Sequence, residues 1–161
     1  MIVQLVIYYV MTGYPQLELD RQLCFALYTA SRAMVRAYAP LLEDADLTYP
    51  QYVTLLVLWE NPDRPRSVGE LGERLHLDSG TLTPLLKRLT AMGYVTRSRD
   101  AEDERRVLVT VTAEGLALRD RLAAVPESLL ACLGMDIAEA SKLRDQLTAL
   151  TTSPGSQASM A

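Results

Sequence analysis

Residues 67–111 read SVGELGERLHLDSGTLTPLLKRLTAMGYVTRSRDAEDERRVLVTV, and this stretch decides the fold. Ser67 with Glu70 three residues on is a capping box that opens a short helix through Leu75. A second helix starts near Ser79, where Leu82, Leu85, Leu86, Leu89 and Met92 recur with a 3.6-residue period. After Gly93 the period becomes two: Tyr94 to Arg99 alternates, Asp100 to Glu104 make a charged turn, and Val107, Val109 and Val111 share one face of a second strand. Short helix, tight turn, amphipathic helix and hairpin are the order of a winged helix-turn-helix.

In that motif the second helix enters the DNA major groove and the hairpin reaches toward the backbone or minor groove. The charge distribution agrees, although the whole chain carries a net charge of −4. Between Ser79 and Arg99 there is no acidic residue, against four cations, Lys87, Arg88, Arg97 and Arg99. Phosphates respond to this local patch, because screening shortens the reach of distant charges to about 8 Å at physiological salt. Opposite the leucines the helix carries Gly80, Thr83, Pro84, Lys87, Arg88 and Ala91, small and hydroxyl groups that let it approach base edges, with cations for phosphate or guanine. The candidate DNA contacts are Ser79, Thr81, Thr83, Lys87, Arg88, Arg97 and Arg99, with Arg105 and Arg106 on the wing. Asp103, two residues from Arg105, is placed to orient that guanidinium toward a narrow minor groove. Asp78 has three roles open to it: helix cap, acceptor from a cytosine amine, or repulsion of phosphate. Pro84 requires the regular helix to begin shortly before it.

Outward from this core, apolar residues from Leu19 to Tyr38 predict a helix buried along one face and ending before Pro40. Thr48 and Gln51 box the start of a helix from about Tyr49 to Glu60, followed by a turn-rich loop from Asn61 to Arg66. Thr112 caps a further helix that Pro126 must interrupt or restart, and a last helix follows Asp136, which has Glu139 three residues on, and runs to about Leu150. The expected organisation is an N-terminal extension at 1–16, one domain at 17–150 and a disordered polar tail at 151–161. Within the domain the winged helix-turn-helix spans about 49–112, with flanking helices at about 17–40 and 113–150. The fold class is therefore mainly α with a small β-hairpin wing.

The remaining composition narrows the chemistry. A chain of 161 residues, 49% apolar and 22% charged, is expected to be one soluble domain with a core. The apolar run from Ile2 to Met11 is short of the roughly 20 residues a spanning helix needs and lacks signal-peptide flanks, so a cytoplasmic protein with no membrane partner is expected. Two distant cysteines, Cys24 and Cys132, exclude a disulfide scaffold, and a single histidine, His76, gives no metal-ligand spacing. No phosphate-cradling glycine loop is present, so no cofactor and no enzyme activity are expected.

The stretches QLCFALYTASRAM (22–34), YAPLLEDADLTYPQY (38–52), LLVLWE (55–60), LDSGTLTPLLKRL (77–89) and DAEDERRVLVTVTAEG (100–115) resemble the organic hydroperoxide resistance regulators of the MarR family of repressors. The resemblance covers about residues 17–150. It implies a homodimer with interlocking N- and C-terminal dimerisation helices, bound to a pseudo-palindromic operator in double-stranded DNA when reduced and released when oxidised. It implies that Cys24 is the peroxide-reactive thiol, that Tyr38 and Tyr49 reach it from the partner subunit, and that Tyr28 is a further pocket tyrosine. The local chemistry is consistent, since phenol donors favour a thiolate and Leu23, Phe25 and Leu27 offer an apolar surround for an organic hydroperoxide. Cys132, in VPESLLACLG, matches the resolving cysteine of the two-cysteine members, which pairs with the reactive thiol across the subunits. Taken alone, either cysteine reads as a small buried residue. Residues 1–10 and a slightly long 61–66 loop depart from the family pattern. Two other readings compete: a repressor answering a phenolic ligand in the same pocket, and a thiol peroxidase using Cys24 and Cys132.

Overall fold

The computed structural model describes residues 13–152. The described chain divides into two compact units between Ala37 and Tyr38.

In the first unit, 3₁₀ turns at Pro15–Leu17 and Leu19–Arg21 lead into helix α1, Leu23–Leu42, which ends in the second unit. The helix predicted from Leu19 therefore starts four residues later. Gln22 accounts for the delay: its side-chain amide donates to the carbonyls of Gln16 at 2.6 Å and Glu18 at 3.0 Å, holding the chain in tight turns. Nor does the helix stop before Pro40, which lies inside it. Leu42 beyond the proline is fully buried and Leu41 is partly so. Their burial is worth about 3 kcal/mol or more, which offsets a proline penalty of similar size. The face expected to be buried is largely open: Leu23, Ala26, Leu27 and Ala30 are exposed, and Met34 and Ala37 are half-buried.

The second unit is built round α2, Tyr49–Trp59, whose Thr48 amide donates to Gln51 Oε1 at 2.8 Å. Tyr52, Leu55 and Leu58 from this helix share a core with Leu71, Leu82, Leu86, Leu89, Val95, Val109 and Leu118. The two-residue strand β1, Arg66–Ser67, precedes α3, Val68–Leu75, and α4, Ser79–Ala91. Strands β2, Val95–Arg99, and β3, Val107–Val111, form the expected hairpin. The wing is nonetheless a three-stranded antiparallel sheet of order β1-β3-β2, because Arg66 pairs with Val109 and Ser67 with Leu108. Helices α5, Ala113–Leu122, α6, Val125–Leu133, and α7, Ile137–Thr152, complete the unit. Pro126 sits in the first turn of α6, where its missing N–H costs nothing. Asp136 and Glu139 cap α7 reciprocally, at 3.0 and 2.8 Å. Thr151 and Thr152, assigned from sequence to the tail, extend α7, and the rest of the expected tail lies outside the described residues, as does the 1–10 extension. Among the described residues no helix is long and apolar enough to cross a membrane.

Two junctions hold the elements. Trp59 Nε1 donates to the Gly115 carbonyl at 2.9 Å, tying the end of α2 to α5 in the core. At the wing base Glu70 accepts from the Ser67 amide at 2.7 Å and pairs with Arg64 and, at 3.9 Å, with Arg106. The Ser67 amide, helped by the two guanidinium groups, holds the Glu70 carboxyl below its ordinary range. A depressed carboxyl pKa stabilises the fold above the unfolded value of about 4.3 and ceases to do so as pH falls through the folded value. The stability advantage of wild type over Glu70→Gln, measured by urea unfolding, is therefore expected at pH 7 and to shrink below about pH 4. A pH-independent difference would contradict this assignment.

Candidate nucleic-acid interface and cysteine sites

The turn between α3 and α4 is closed by the Leu77 amide on the Gly72 carbonyl at 3.0 Å, with His76 in the left-handed region at φ +53°. A side chain at 72 would meet the Leu77 carbonyl at 2.8 Å, so glycine is required for this close approach. Of the three roles open to Asp78, the geometry selects the cap. Its carboxylate accepts from the Thr81 amide at 2.9 Å and the Thr81 hydroxyl at 3.0 Å, which lowers its pKa.

On the outer face of α4, Ser79, Thr81 and Lys87 are exposed, opposite buried Leu82, Leu85, Leu86 and Leu89. The Thr83 hydroxyl donates to the Ser79 carbonyl at 2.7 Å, which leaves its lone pairs for an incoming donor. Lys87 has no ion pair among the described residues. Arg88 is engaged within the chain by Asp46 at 2.8 Å, a partner 42 positions away in sequence.

The wing cations divide by surroundings. Arg97 is half-buried and, like Arg66, stands opposite Val109 in the sheet, so both share the inward face of that fully buried valine. The Nε atoms of Arg66 and Arg97 are buried without hydrogen-bond partners. Arg99 donates across the tip to the Glu104 carbonyl at 2.6 Å. Arg106 faces Asp100 at 3.7 Å and Glu70 at 3.9 Å. Arg105 is exposed, with no ion pair among the described residues. Asp103 accepts from the Arg105 main-chain amide at 3.0 Å, so it shapes the turn and does not hold the guanidinium as the sequence suggested. The expected contacts thus resolve into Lys87 and Arg105 as uncommitted surface cations, with the other cations tied into the fold or turned inward.

Cys24 is exposed on α1 and Phe25 beside it is half-buried. One turn on, Tyr28 accepts from Arg32 at 2.9 Å, and that guanidinium lies 5.4 Å from the ring centroid. Cys24, Tyr28 and Arg32 form a single stripe at i, i+4 and i+8, and Arg32 is the member that sequence reasoning missed. In the second unit the Tyr38 ring lies 4.7 Å from Tyr49 and 5.7 Å from Tyr52, centroid to centroid. Burial, then the neighbouring phenols, push the Tyr38 pKa up to about 12, so Tyr38 remains a hydroxyl donor at physiological pH. Cys132 is exposed on α6 rather than packed in the core, and both thiols are free. An open cleft of about 580 Å³ between α6 and α7 is lined by Leu130, Ala131, Met135, Ile137 and Ala138 with Glu127 and Asp136, and Cys132 does not line it.

The SarA/Rot family of transcriptional regulators matches residues 36–122. The chain is 50% identical over 133 residues to the HTH-type transcriptional regulator TtmR of Methylorubrum extorquens, covering 83% of this chain and 67% of that one. It is 46% identical over 117 residues to the organic hydroperoxide resistance transcriptional regulator of Bacillus subtilis, covering 73% and 78%. Among solved structures, reduced AbfR bound to DNA, from Staphylococcus epidermidis, superposes with a TM-score of 0.70 at 33% identity, covering 86% of this chain and 95% of AbfR. With its winged helix-turn-helix and these relatives, the chain belongs to the MarR-type transcriptional regulators, in the branch of the organic hydroperoxide resistance regulators.

Proposed function

We propose that this protein is a redox-sensing repressor that binds a pseudo-palindromic DNA operator as a reduced homodimer and releases it when an organic hydroperoxide oxidises Cys24. The observation that carries the reading is an exposed thiol in the QLCF stretch of a chain 46% identical to a regulator named for hydroperoxide resistance. DNA binding is supported by the capped α4 with its free Lys87, by the wing tip bearing Arg105, and by the likeness to DNA-bound AbfR. Dimerisation is supported by two helices with uncovered apolar faces. α1 exposes Leu23, Leu27 and Val35, while α7 buries none of its residues and exposes Ile137, Leu143, Leu147 and Leu150. Two copies related by a two-fold axis would cover these faces and set two reading helices one DNA turn apart.

The chemistry balances in two steps. The Cys24 thiolate attacks the terminal oxygen of the hydroperoxide, an S–O bond forms as O–O breaks, and the departing alkoxide takes a proton from solvent to leave as the alcohol, giving a sulfenic acid. The partner subunit's resolving thiol, Cys132, then displaces water and closes a disulfide. Tyr28, Tyr38 and Tyr49 serve as hydroxyl donors that favour the thiolate, and Phe25 supplies apolar wall. The test is anisotropy of end-labelled DNA from the gene's own upstream region, titrated with reduced protein, then hydroperoxide, then dithiothreitol. Binding lost to peroxide and restored by dithiothreitol is expected. Binding indifferent to peroxide would replace the redox reading with a ligand-responsive repressor.

In the same assay Lys87→Ala is expected to weaken binding on all sequences and to shallow the log K against log salt slope by about 1 per subunit. An unchanged slope would remove Lys87 from the phosphate contacts.

A further inference from the structure

The hydrogen-bond ladder of α4 starts with the Leu82 amide on the Asp78 carbonyl, at 3.0 Å. Two residues later it is interrupted, because Pro84 lies inside the helix and has no N–H for the carbonyl of Gly80. The Thr83 hydroxyl, the nearest substitute donor, is committed to the Ser79 carbonyl. Gly80 and Pro84 are both exposed, and glycine brings no side chain to cover its own carbonyl. Both lie on the face that carries Lys87, away from the leucines of the core.

Proline is the least favourable residue for a helix interior, and an exposed one gains no packing in return. Such a break in a local rule, on the one face aimed at the proposed ligand, marks a functional position. Apart from the Thr83 hydroxyl, whose lone pairs are open, acceptors are scarce on that face. Lys87 is a donor, and the carboxylate of Asp78 is already held by the Thr81 amide and hydroxyl. Adenine and cytosine present exocyclic amine donors on their major-groove edges, and reading them takes an acceptor.

We propose that Pro84 keeps the Gly80 carbonyl free to accept a hydrogen bond from the exocyclic amine of an adenine or cytosine in the operator. Gly80 is then a specificity determinant and Pro84 its positioning residue. The inference rests on the DNA-binding reading above.

The test begins with selection of duplexes of about 30 base pairs, enough for two half-sites one turn apart, by reduced wild-type protein. Affinities are then measured for every single base-pair change with wild type, Pro84→Ala and Pro84→lactic acid. The last is the ester analogue of the alanine variant, with neither ring nor N–H. Wild type is expected to prefer adenine or cytosine at one position per half-site by about three- to tenfold. Pro84→Ala restores the helical bond, so it should lose that preference alone, keep the others, and melt at a higher temperature. The lactic acid variant should retain the preference. An alanine variant with the wild-type preference pattern, or a lactic acid variant that behaves like alanine, would overturn the proposal. If reduced wild type selects no sequence at all, the DNA-binding reading falls first and this one with it.

Discussion

Cys24→Ser is expected to leave operator affinity of the reduced protein within about twofold of wild type while removing its response to organic hydroperoxide. Wild type should lose affinity by a factor on the order of 100 when oxidised, the upper range for coupling between two sites. The substitution exchanges sulfur for oxygen at an exposed position, so no core packing is disturbed and surface changes of this kind cost little stability. A serine hydroxyl does not reduce a hydroperoxide, so the S–O bond that starts the switch is not formed. Titration of the operator complex with cumene hydroperoxide reads the difference directly. A variant that still releases DNA on treatment would move the sensor away from Cys24, with Cys132 the next thiol to examine.

Gly115→Ala is expected to be the most destabilising single-methyl change in the molecule, at about 3 kcal/mol, lowering the melting temperature by roughly 10 °C. A Cβ at this position would lie inside the van der Waals surface of the Tyr94 carbonyl oxygen, and 2.9 Å from both the Tyr94 carbonyl carbon and Val111 Cγ2. Neither carbonyl atom has room to move, because the same oxygen accepts from the Thr112 amide at 3.1 Å. Gly115 is further fixed by its own amide on Thr112 Oγ1 at 3.0 Å and its carbonyl under Trp59 Nε1 at 2.9 Å. Relief of the clash would break the helix cap, the wing-to-helix junction or the tryptophan anchor. Thermal unfolding by circular dichroism gives the comparison, and a melting temperature within 2 °C or so of wild type would show that this junction is looser than its contacts imply.

What was legible in the sequence was local. The boxes at Ser67 and Glu70 and at Asp136 and Glu139, the Thr112 cap and the leucine period of α4 are each written within one or two turns of helix, and each forms as read. Two of the failures are long-range. Burial of Leu42 carries α1 through Pro40, and Arg66 becomes a strand residue only because Val109 of β3 lies beside it. For the candidate site, composition located the cationic stretch but not which cations were spoken for. Arg88 meets Asp46, Arg106 meets Glu70 and Asp100, and Asp103 meets a main-chain amide. The pairings with Asp46 and Glu70 depend on the path of the whole chain, while those of Asp100 and Asp103 are made within the turn itself, so a count of charges along α4 and the wing overstates the charge left for DNA.

Trp59 is the only tryptophan in the chain, and it is buried with its indole N–H engaged by Gly115. Tyr52 lies edge-on to it with ring centroids 6.4 Å apart, Tyr38 is 5.7 Å from Tyr52, and Tyr49 is 4.7 Å from Tyr38. Excitation absorbed by any of these phenols passes to the indole, whose emission colour follows the polarity around it. The molecule therefore carries a built-in optical gauge, with Tyr38 and Tyr49, two of the tyrosines proposed for the sensor, in its antenna and the α2–α5 junction as its emitter. A rearrangement at the phenols would register as altered energy transfer, and a loosened junction as a red shift, without any dye attached to the protein.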